Sequence, residues 1–508
     1  MSAFADALAR VPPLLAAHVL LAAAALALGI GISLPLALLS ARRPVAARIA
    51  LGLASLIQTI PALALLALFY PLLLGLAGFG VPALGFLPSL LALTLYAVLP
   101  ILRNGVAALR GIDPAVSEAA DAVGMTPWQK LRLVEAPLAA PVLIAGIRTA
   151  AVWTIGAATL STTVGASSLG DLIFAGLQTQ NWALVLAGCV ASAGLALAAD
   201  ALIGAVERGV ARRRRAWWLG GLLGLAGGVA LATAPLWLHA RERPIVIGAK
   251  NFSEQFILAR LIGDRLTRAG YRVEYRDGLG SAVVFGAVAG GDVDVYVDYA
   301  GTLWTNEMRR TDVPPPAAML PAIARWTEDA HGVRLLGALG FENAYAFAMR
   351  GSEARARGIR TLDDLAAASP GLKLGSDLEF LERPEWKAVQ HAYPMHFAGA
   401  TPYSPTFMFR ALDSGAADVV TAFSSDGRIA ADGLSVLADP RHALPGYQAI
   451  LLVAPARARN PRFAAALRPL IGRLPVEAMR EANHQVDRDT AKRSPEQAAR
   501  WLAHRIGL

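Results

Sequence analysis

The sequence predicts an all-α transmembrane domain followed by an extracytoplasmic, two-lobed α/β domain, and three observations carry that prediction. Between Arg48 and Arg103 the chain runs for 54 residues without Asp, Glu, Lys or Arg, one of several such runs, all before residue 241. A spanning helix needs only about 20 apolar residues, and charge inside hydrocarbon is costly, so this half suits a bilayer. Residues 244–508 instead have ordinary charge density and alternate short β-branched runs with helical patterns. Finally, the basic excess of the first half clusters in short loops that alternate along the chain.

Six spans are expected, at about 15–39, 49–70, 84–104, 136–158, 183–205 and 217–238. The apolar segment 71–86 is either re-entrant or an extension of the second helix. Arg42, Arg43 and Arg48 fall between the first two spans, Arg110, Lys130 and Arg132 between the third and fourth, and Arg208 with Arg212, Arg213, Arg214 and Arg215 between the last two. The intervening loops, 71–83 and 159–182, contain no Lys or Arg. By the positive-inside rule the basic loops are cytoplasmic, so the N-terminus and the soluble half lie outside. The first helix reads as an uncleaved span, since Asp6 and Arg10 precede roughly thirty uncharged residues. Arg148 reads as the one charge within a span, within snorkelling reach of the interface.

The basic loop 111–137 reads as a helix pair. Pro114 opens the first helix, Glu118, Ala119 and Ala120 favour it, and Gly124 breaks it before Thr126-Pro127-Trp128 restarts the pattern. Trp128, Leu131 and Leu133 suit either a groove in another protein or the lipid interface.

In the soluble half, 244–250 reads as a strand, 256–266 as a helix, 271–275 as a strand, 281–289 as a helix and 293–299 as a strand, an order that indicates a largely parallel sheet. A second α/β unit follows, with strands at 372–375 and 417–423 and a helix at 406–412. An apolar run at 447–453 and helices containing Ala466, Leu467 and Ile471 close the chain. Ligands bind such sheets at the carboxyl ends of strands, where residues 250–254 and 298–302 fall.

Several stretches resemble known families. Glu118-Ala119-Ala120, Gly124 and Ala136-Pro137 resemble the signature of ABC importer permeases, in which this loop docks into the ATP-hydrolysing subunit. Residues 58–64 (Gln-Thr-Ile-Pro-Ala-Leu-Ala), 99–104 (Leu-Pro-Ile-Leu-Arg-Asn) and 162–170 (Thr-Thr-Val-Gly-Ala-Ser-Ser-Leu-Gly) resemble the osmoprotectant branch of those permeases. Residues 248–255 (Gly-Ala-Lys-Asn-Phe-Ser-Glu-Gln), 298–302 (Asp-Tyr-Ala-Gly-Thr) and 425–429 (Ser-Asp-Gly-Arg-Ile) resemble the motifs of glycine betaine, choline and carnitine binding proteins, a family with members fused to their permease in this order. Ala300 and Ser425 depart from the threonine usual at both places.

The resemblance implies a permease domain over 1–215, an additional membrane helix and tether over 216–243, and a type II periplasmic-binding-protein domain over 244–508. Its first lobe is expected at 244–345 with 446–508 and its second at 346–445. It also implies a multi-pass protein of the bacterial inner membrane, two copies of this chain, and a separate ABC ATPase homodimer as partner.

A trimethylammonium group has no N–H to donate, so selectivity rests on aromatic faces. Phe252, Tyr296, Tyr299, Phe341, Tyr345, Phe380 and Tyr403 are the candidate rings. Tyr299 and Tyr403 lead because small or turn-forming residues border them. Asn251, Asn343 and Thr302 are candidate polar contacts, and Glu254, Gln255 and Asp426 belong to the motifs themselves. Glu118, Ala119, Ala120, Gly124, Trp128 and Pro137 are the candidate ATPase-coupling residues.

Other functions fit less well. The net charge of +9 is no nucleic-acid signature, because residues 1–243 hold 16 basic against 9 acidic residues and residues 244–508 hold 31 against 29. Cys189 is the single cysteine, so no disulfide or cysteine-ligated metal site is available. No cofactor or metal is expected. No phosphate-cradling Gly-x-x-x-x-Gly-Lys-Ser/Thr motif occurs, so ATP hydrolysis belongs to another chain. A membrane-anchored receptor without transport, and an importer of ergothioneine or an amino acid, remain the alternatives.

Overall fold

The computed structural model describes residues 2–76, 81–179, 181–238, 244–310, 312, 314–403, 405–444, 446–488 and 490–508. The chain divides into two compact units, residues 1–174 with 183–241, and residues 242–508 with 175–182. The expected tether at 239–243 lies outside the described residues.

Among the described residues of the first unit, five helices are long and apolar enough to cross a membrane: Val11–Arg42, Phe86–Arg110, Pro127–Val164, Trp182–Ala211 and Arg215–Ala234. The expected continuous span at 49–70 is instead a bent pair, Pro44–Thr59 and Ala62–Leu74, meeting at 99°. Pro61 explains the break, because proline disfavours helical backbone in the residue before it, and Ile60 is extended at φ −72°, ψ 126°. The Ile60 carbonyl freed by the bend accepts the Tyr96 hydroxyl, so it is not left bare in an apolar setting. Of the segment 71–86, the helix runs to Leu74 and residues 77–80 lie outside the described residues.

Small residues set the packing. A Cβ at Gly29 would lie 2.8 Å from that of Ala97, and one at Gly146 would lie 3.0 Å from the Pro100 carbonyl, so these helices approach to backbone contact. Against expectation, Arg148 is not the one charge within a span. Asp200, within the expected span 183–205, accepts its Nη2 at 2.6 Å and Glu207 pairs with Nη1 at 3.4 Å. Gly204 leaves room for the guanidinium, since a Cβ there would come within 3.3 Å of it. The spacing Asp200, Gly204, Glu207 puts notch and acids on one helix face.

The 111–137 loop is a helix pair, with one change. Asp113 caps Pro114–Ala122 through the Ala115 N–H at 2.9 Å, and Gly124 turns the chain at φ +76°. A Thr126/Gln129 capping box starts the second helix. That helix does not end at Pro137 but continues through a π turn, Leu131–Glu135, into the span Ala136–Ala158. Trp128 is 68% exposed on it.

Among its described residues the second unit contains two five-stranded sheets. The first has order β2-β1-β3-β10-β4, from β1 (Ile245–Lys250), β2 (Val273–Leu279), β3 (Val295–Tyr299), β4 (Arg334–Glu342) and β10 (Gln448–Val453). The second has order β7-β6-β8-β5-β9, from β5 (Tyr345–Arg350), β6 (Lys373–Ser376), β7 (Gly399–Pro402), β8 (Val419–Phe423) and β9 (Leu434–Val436). The expectation of a largely parallel first sheet needs correction. β2, β1 and β3 are parallel, but β10 returns from the second lobe and runs antiparallel to both β3 and β4. Its residues alternate no differently, so strand direction was invisible in the sequence. Ile245, Ile247, Val295 and Leu451 face the core with Ile257 and Leu261 of the helix Ser253–Arg268. Ile471, expected in a closing helix, lies beyond Pro461–Leu467, and two further helices, Val476–Asp487 and Pro495–Arg505, end the chain.

Candidate ligand-binding cleft

The carboxyl ends of β1, β3, β6 and β8 converge with the two segments that join the lobes, at Asn343 and Tyr447, around one cavity. Such ends are where open α/β sheets bind ligands, because the loops that leave them are free of ladder constraints.

Five rings line the cavity: Phe252 after β1, Tyr299 at the end of β3, Tyr345 at the start of β5, Phe423 at the end of β8 and Tyr447 before β10. Phe252 stacks on Phe423 at 5.8 Å and 10°, and on Tyr299 at 6.2 Å. Tyr345 contacts Phe423 at 4.9 Å and meets Tyr447 edge-on at 5.8 Å. Burial pushes the Tyr299, Tyr345 and Tyr447 phenols well above their ordinary range, so all three stay neutral.

The tyrosine rings are held from behind. The Tyr299 hydroxyl donates to Glu254 Oε1 at 2.6 Å and accepts from Gln255 Nε2 at 2.9 Å. Glu254 also accepts from Asn343 Nδ2 at 3.0 Å and from Asn483 Nδ2 at 2.9 Å. Burial raises the pKa of this carboxyl, and its hydrogen bonds act in the opposite direction.

The charged lining is balanced: Lys250 and Arg383 against Asp377 and Glu379. Lys250 is ion-paired with Asp298 and lies 5.3 Å from the Tyr299 ring centroid. The second carboxylate oxygen of Asp298 accepts the Tyr296 hydroxyl at 2.6 Å. Burial opposes ionisation of Glu379, but Arg383 outweighs it and holds that carboxyl below its usual range, whereas burial raises Asp377. Asn343 Oδ1, Asp377 Oδ2 and Arg383 Nε are buried without a hydrogen-bond partner. Unsatisfied polar groups of this kind are rare in folded proteins, and here three of them gather at one cavity.

The sequence candidates separate into three groups. Asn251, Phe252, Tyr299, Thr302, Asn343 and Tyr345 line the cavity. Glu254, Gln255 and Tyr296 lie beneath it as supports, and Phe380 packs behind Tyr345 at 4.8 Å. Tyr403, Phe341 and Asp426 lie elsewhere. Tyr403 packs on Met408 and Phe409 within the second lobe, and Phe341 faces a separate hollow with Ser424 and Arg480. Asp426 pairs with Arg428 at 3.1 Å, in a small polar hollow that shares the Phe252 and Phe423 rings. Tyr403 directly follows β7, and its ring belongs to the lobe's own core. Phe423, Tyr447, Asp377 and Arg383 also line the cavity and are not among the sequence candidates. The strand-end rule would have reached Phe423 and Asp377, which end or follow the expected strands 417–423 and 372–375.

Comparisons with known proteins agree with this geometry. The family described as the substrate binding domain of ABC-type glycine betaine transport systems matches residues 243–504. The binding-protein-dependent transport system inner membrane component matches residues 29–212. An ergothioneine transport permease/ergothioneine binding protein of Helicobacter pylori (strain G27) is 29% identical over 478 residues, covering 90% of this chain and 83% of the relative. A choline transport system permease protein of Bacillus subtilis (strain 168) is 39% identical over 191 residues, covering 38% of this chain and 84% of the relative. A carnitine transport permease protein of Listeria monocytogenes serotype 1/2a (strain 10403S) is 43% identical over 192 residues, covering 38% and 82%.

Proposed function

The chain belongs to the family of ABC-type glycine betaine transport substrate-binding domains and carries the matching inner membrane component ahead of it, and from that premise we propose that its cleft takes a trimethylated zwitterion. The observation that carries this reading is the set of five aromatic rings around one cavity. Each face offers a quaternary ammonium about 0.5–2 kcal/mol of cation-π attraction and excludes water, which such a group does not need for hydrogen bonding. The lining holds as many cations as carboxylates, so it favours a solute with no net charge over a simple cation. Arg383, which lines the cavity and whose buried Nε has no hydrogen-bond partner, suits the carboxylate of a betaine.

In this reading the permease occupies 1–215, a further membrane helix and tether 216–243, and the solute-binding domain 244–508, on the external side. ATP is hydrolysed by a separate homodimeric subunit that meets the 114–135 helix pair, and two copies of this chain form one pathway. Native mass measurement with that subunit present should read two plus two; a transport-competent complex holding one copy would exclude the arrangement.

Calorimetry on the full chain in detergent tests the ligand class, with glycine betaine, carnitine, ergothioneine and choline, and with a sugar and an unmethylated amino acid as controls. At least one betaine should bind more tightly than choline, and Arg383→Gln should narrow that difference. Tight binding of the sugar or the unmethylated amino acid alone would overturn the cage.

A further inference from the structure

Glu385 stands outside the cavity lining and yet bonds to both lobes. It is the second residue of the helix Pro384–Ala392, which belongs to the second lobe, and is 1% exposed. Its Oε1 accepts the Tyr447 hydroxyl at 2.5 Å and the Thr305 hydroxyl at 2.9 Å, with Arg383 Nη1 at 3.5 Å. Thr305 lies in the Leu303–Glu307 turn that follows β3 in the first lobe. Tyr447 sits where the chain re-enters the first sheet. The carboxylate therefore ties the second lobe to the first and fixes a cage ring in the same contact. On its other side that ring has no slack, because a Cβ at Gly301 would lie 2.8 Å from it. The rim carries a parallel contact, in which Ser281 of the first lobe accepts from Arg383 Nη2 at 3.1 Å.

We propose that Glu385 is a positioning residue: a latch that closes the lobes over the cleft and completes the Tyr447 wall only when they are closed. The choice of a carboxylate fits a contact that must be broken. Apolar residues in its place would often be as stable or more so, but they would resist separation in water, whereas a carboxylate and two hydroxyls are rehydrated as the lobes part. The latch makes no contact with solute. It acts through Tyr447 and through lobe closure, and so governs how long a solute stays rather than how fast it arrives.

The role of Tyr447 as a wall rests on the cage reading; the closure of the lobes by Thr305 and Glu385 does not, and the experiment separates the two. The full chain, with Cys189→Ser and paired labels at Ala330→Cys and Ser352→Cys, is placed in nanodiscs. Both label sites are exposed, one on each lobe. Pulsed electron paramagnetic resonance reads the lobe separation alone and with glycine betaine, choline or ergothioneine, and stopped-flow fluorescence reads solute dissociation. Thr305→Val is nearly isosteric and removes the cross-lobe donor; Tyr447→Phe removes the other bond and keeps the ring. Each should lower the closed fraction wherever the parent closes, and each should speed dissociation by about tenfold, as expected for one net hydrogen bond, with association within about twofold. Closed fractions equal to the parent in every condition would overturn the latch, as would slower association with unchanged dissociation. If none of the three solutes binds the parent, the cage reading fails on its own, and the separation measured without solute still decides the latch.

Discussion

Replacing Tyr299 separates the ring from its hydroxyl, because the structure gives them different work. The ring is a cavity wall stacked on Phe252 at 6.2 Å, and the hydroxyl is spent on Glu254 and Gln255 behind it. Tyr299→Ala removes one cation-π face, about 0.5–2 kcal/mol, and loosens the Phe252 stack, for a total loss of about 1–3 kcal/mol or roughly 5- to 150-fold in affinity. Tyr299→Phe keeps the face. It leaves Glu254 Oε1 with Asn343 as its remaining side-chain donor, a deficit of about 1–3 kcal/mol that falls on folding rather than on the solute. The phenylalanine variant should therefore bind within about threefold of the parent while melting at a lower temperature. The assay pairs calorimetry with thermal unfolding of the full chain, using whichever betaine binds the parent. Two results would refute the reasoning: unchanged affinity in the alanine variant, or a phenylalanine variant that loses as much affinity as alanine. The second would mean that the hydroxyl, or the Glu254 network, meets the solute directly.

Three further outcomes are expected. Burial first, and then the Asp298 carboxylate, raises Glu307 to about 7, so its contribution to stability is full below about pH 4.5 and is lost as pH rises through about 7; Glu307→Gln should flatten denaturant-measured stability across that window, and an unchanged slope would exclude the assignment. Charging Trp128, or giving Gly124 a side chain at φ +76°, should abolish solute-stimulated ATP hydrolysis while leaving solute affinity unchanged, and full-rate transport by an assembled variant would show that the helix pair is not the docking element. Arg148→Met should reduce the yield of folded protein by leaving Asp200 and Glu207 without their cation in an apolar setting, whereas adding Asp200→Asn should recover part of it; equal yields for the single variant and the parent would indicate that the pair is dispensable.

How much of this was legible in the sequence depended on the range of the physics involved. The spans and the helix pair follow from local composition, since hydropathy, Gly124 and the Thr126/Gln129 box act within a few residues of themselves. Even the bend at Pro61 has a local cause, although a hydropathy average over 49–70 passes across it. Arg148 shows the limit. Its partner Asp200 lies 52 positions away on another helix, and a reading of one span at a time cannot pair the two.

The cleft extends that limit to function. Its rings come from strand ends and joining segments spread from Phe252 to Tyr447, and what brings them together is strand order, in particular the antiparallel return of β10 between β3 and β4. Residues at the ends of β1 and β3 are reachable, because their motifs and the strand-end rule coincide. Tyr403 and Tyr447 differ in nothing that periodicity detects: each is an aromatic residue at the border of a strand, with turn-forming neighbours. The strand beside Tyr403 is β7, at the edge of its sheet, so its ring packs on the lobe's own core. The strand after Tyr447 is β10, inside the sheet at the junction of the lobes, so its ring meets the cavity and Glu385. A site between two lobes is thus written in sheet order, and its support in buried carboxylates such as Glu254 and Glu385, whose partners come from distant parts of the chain.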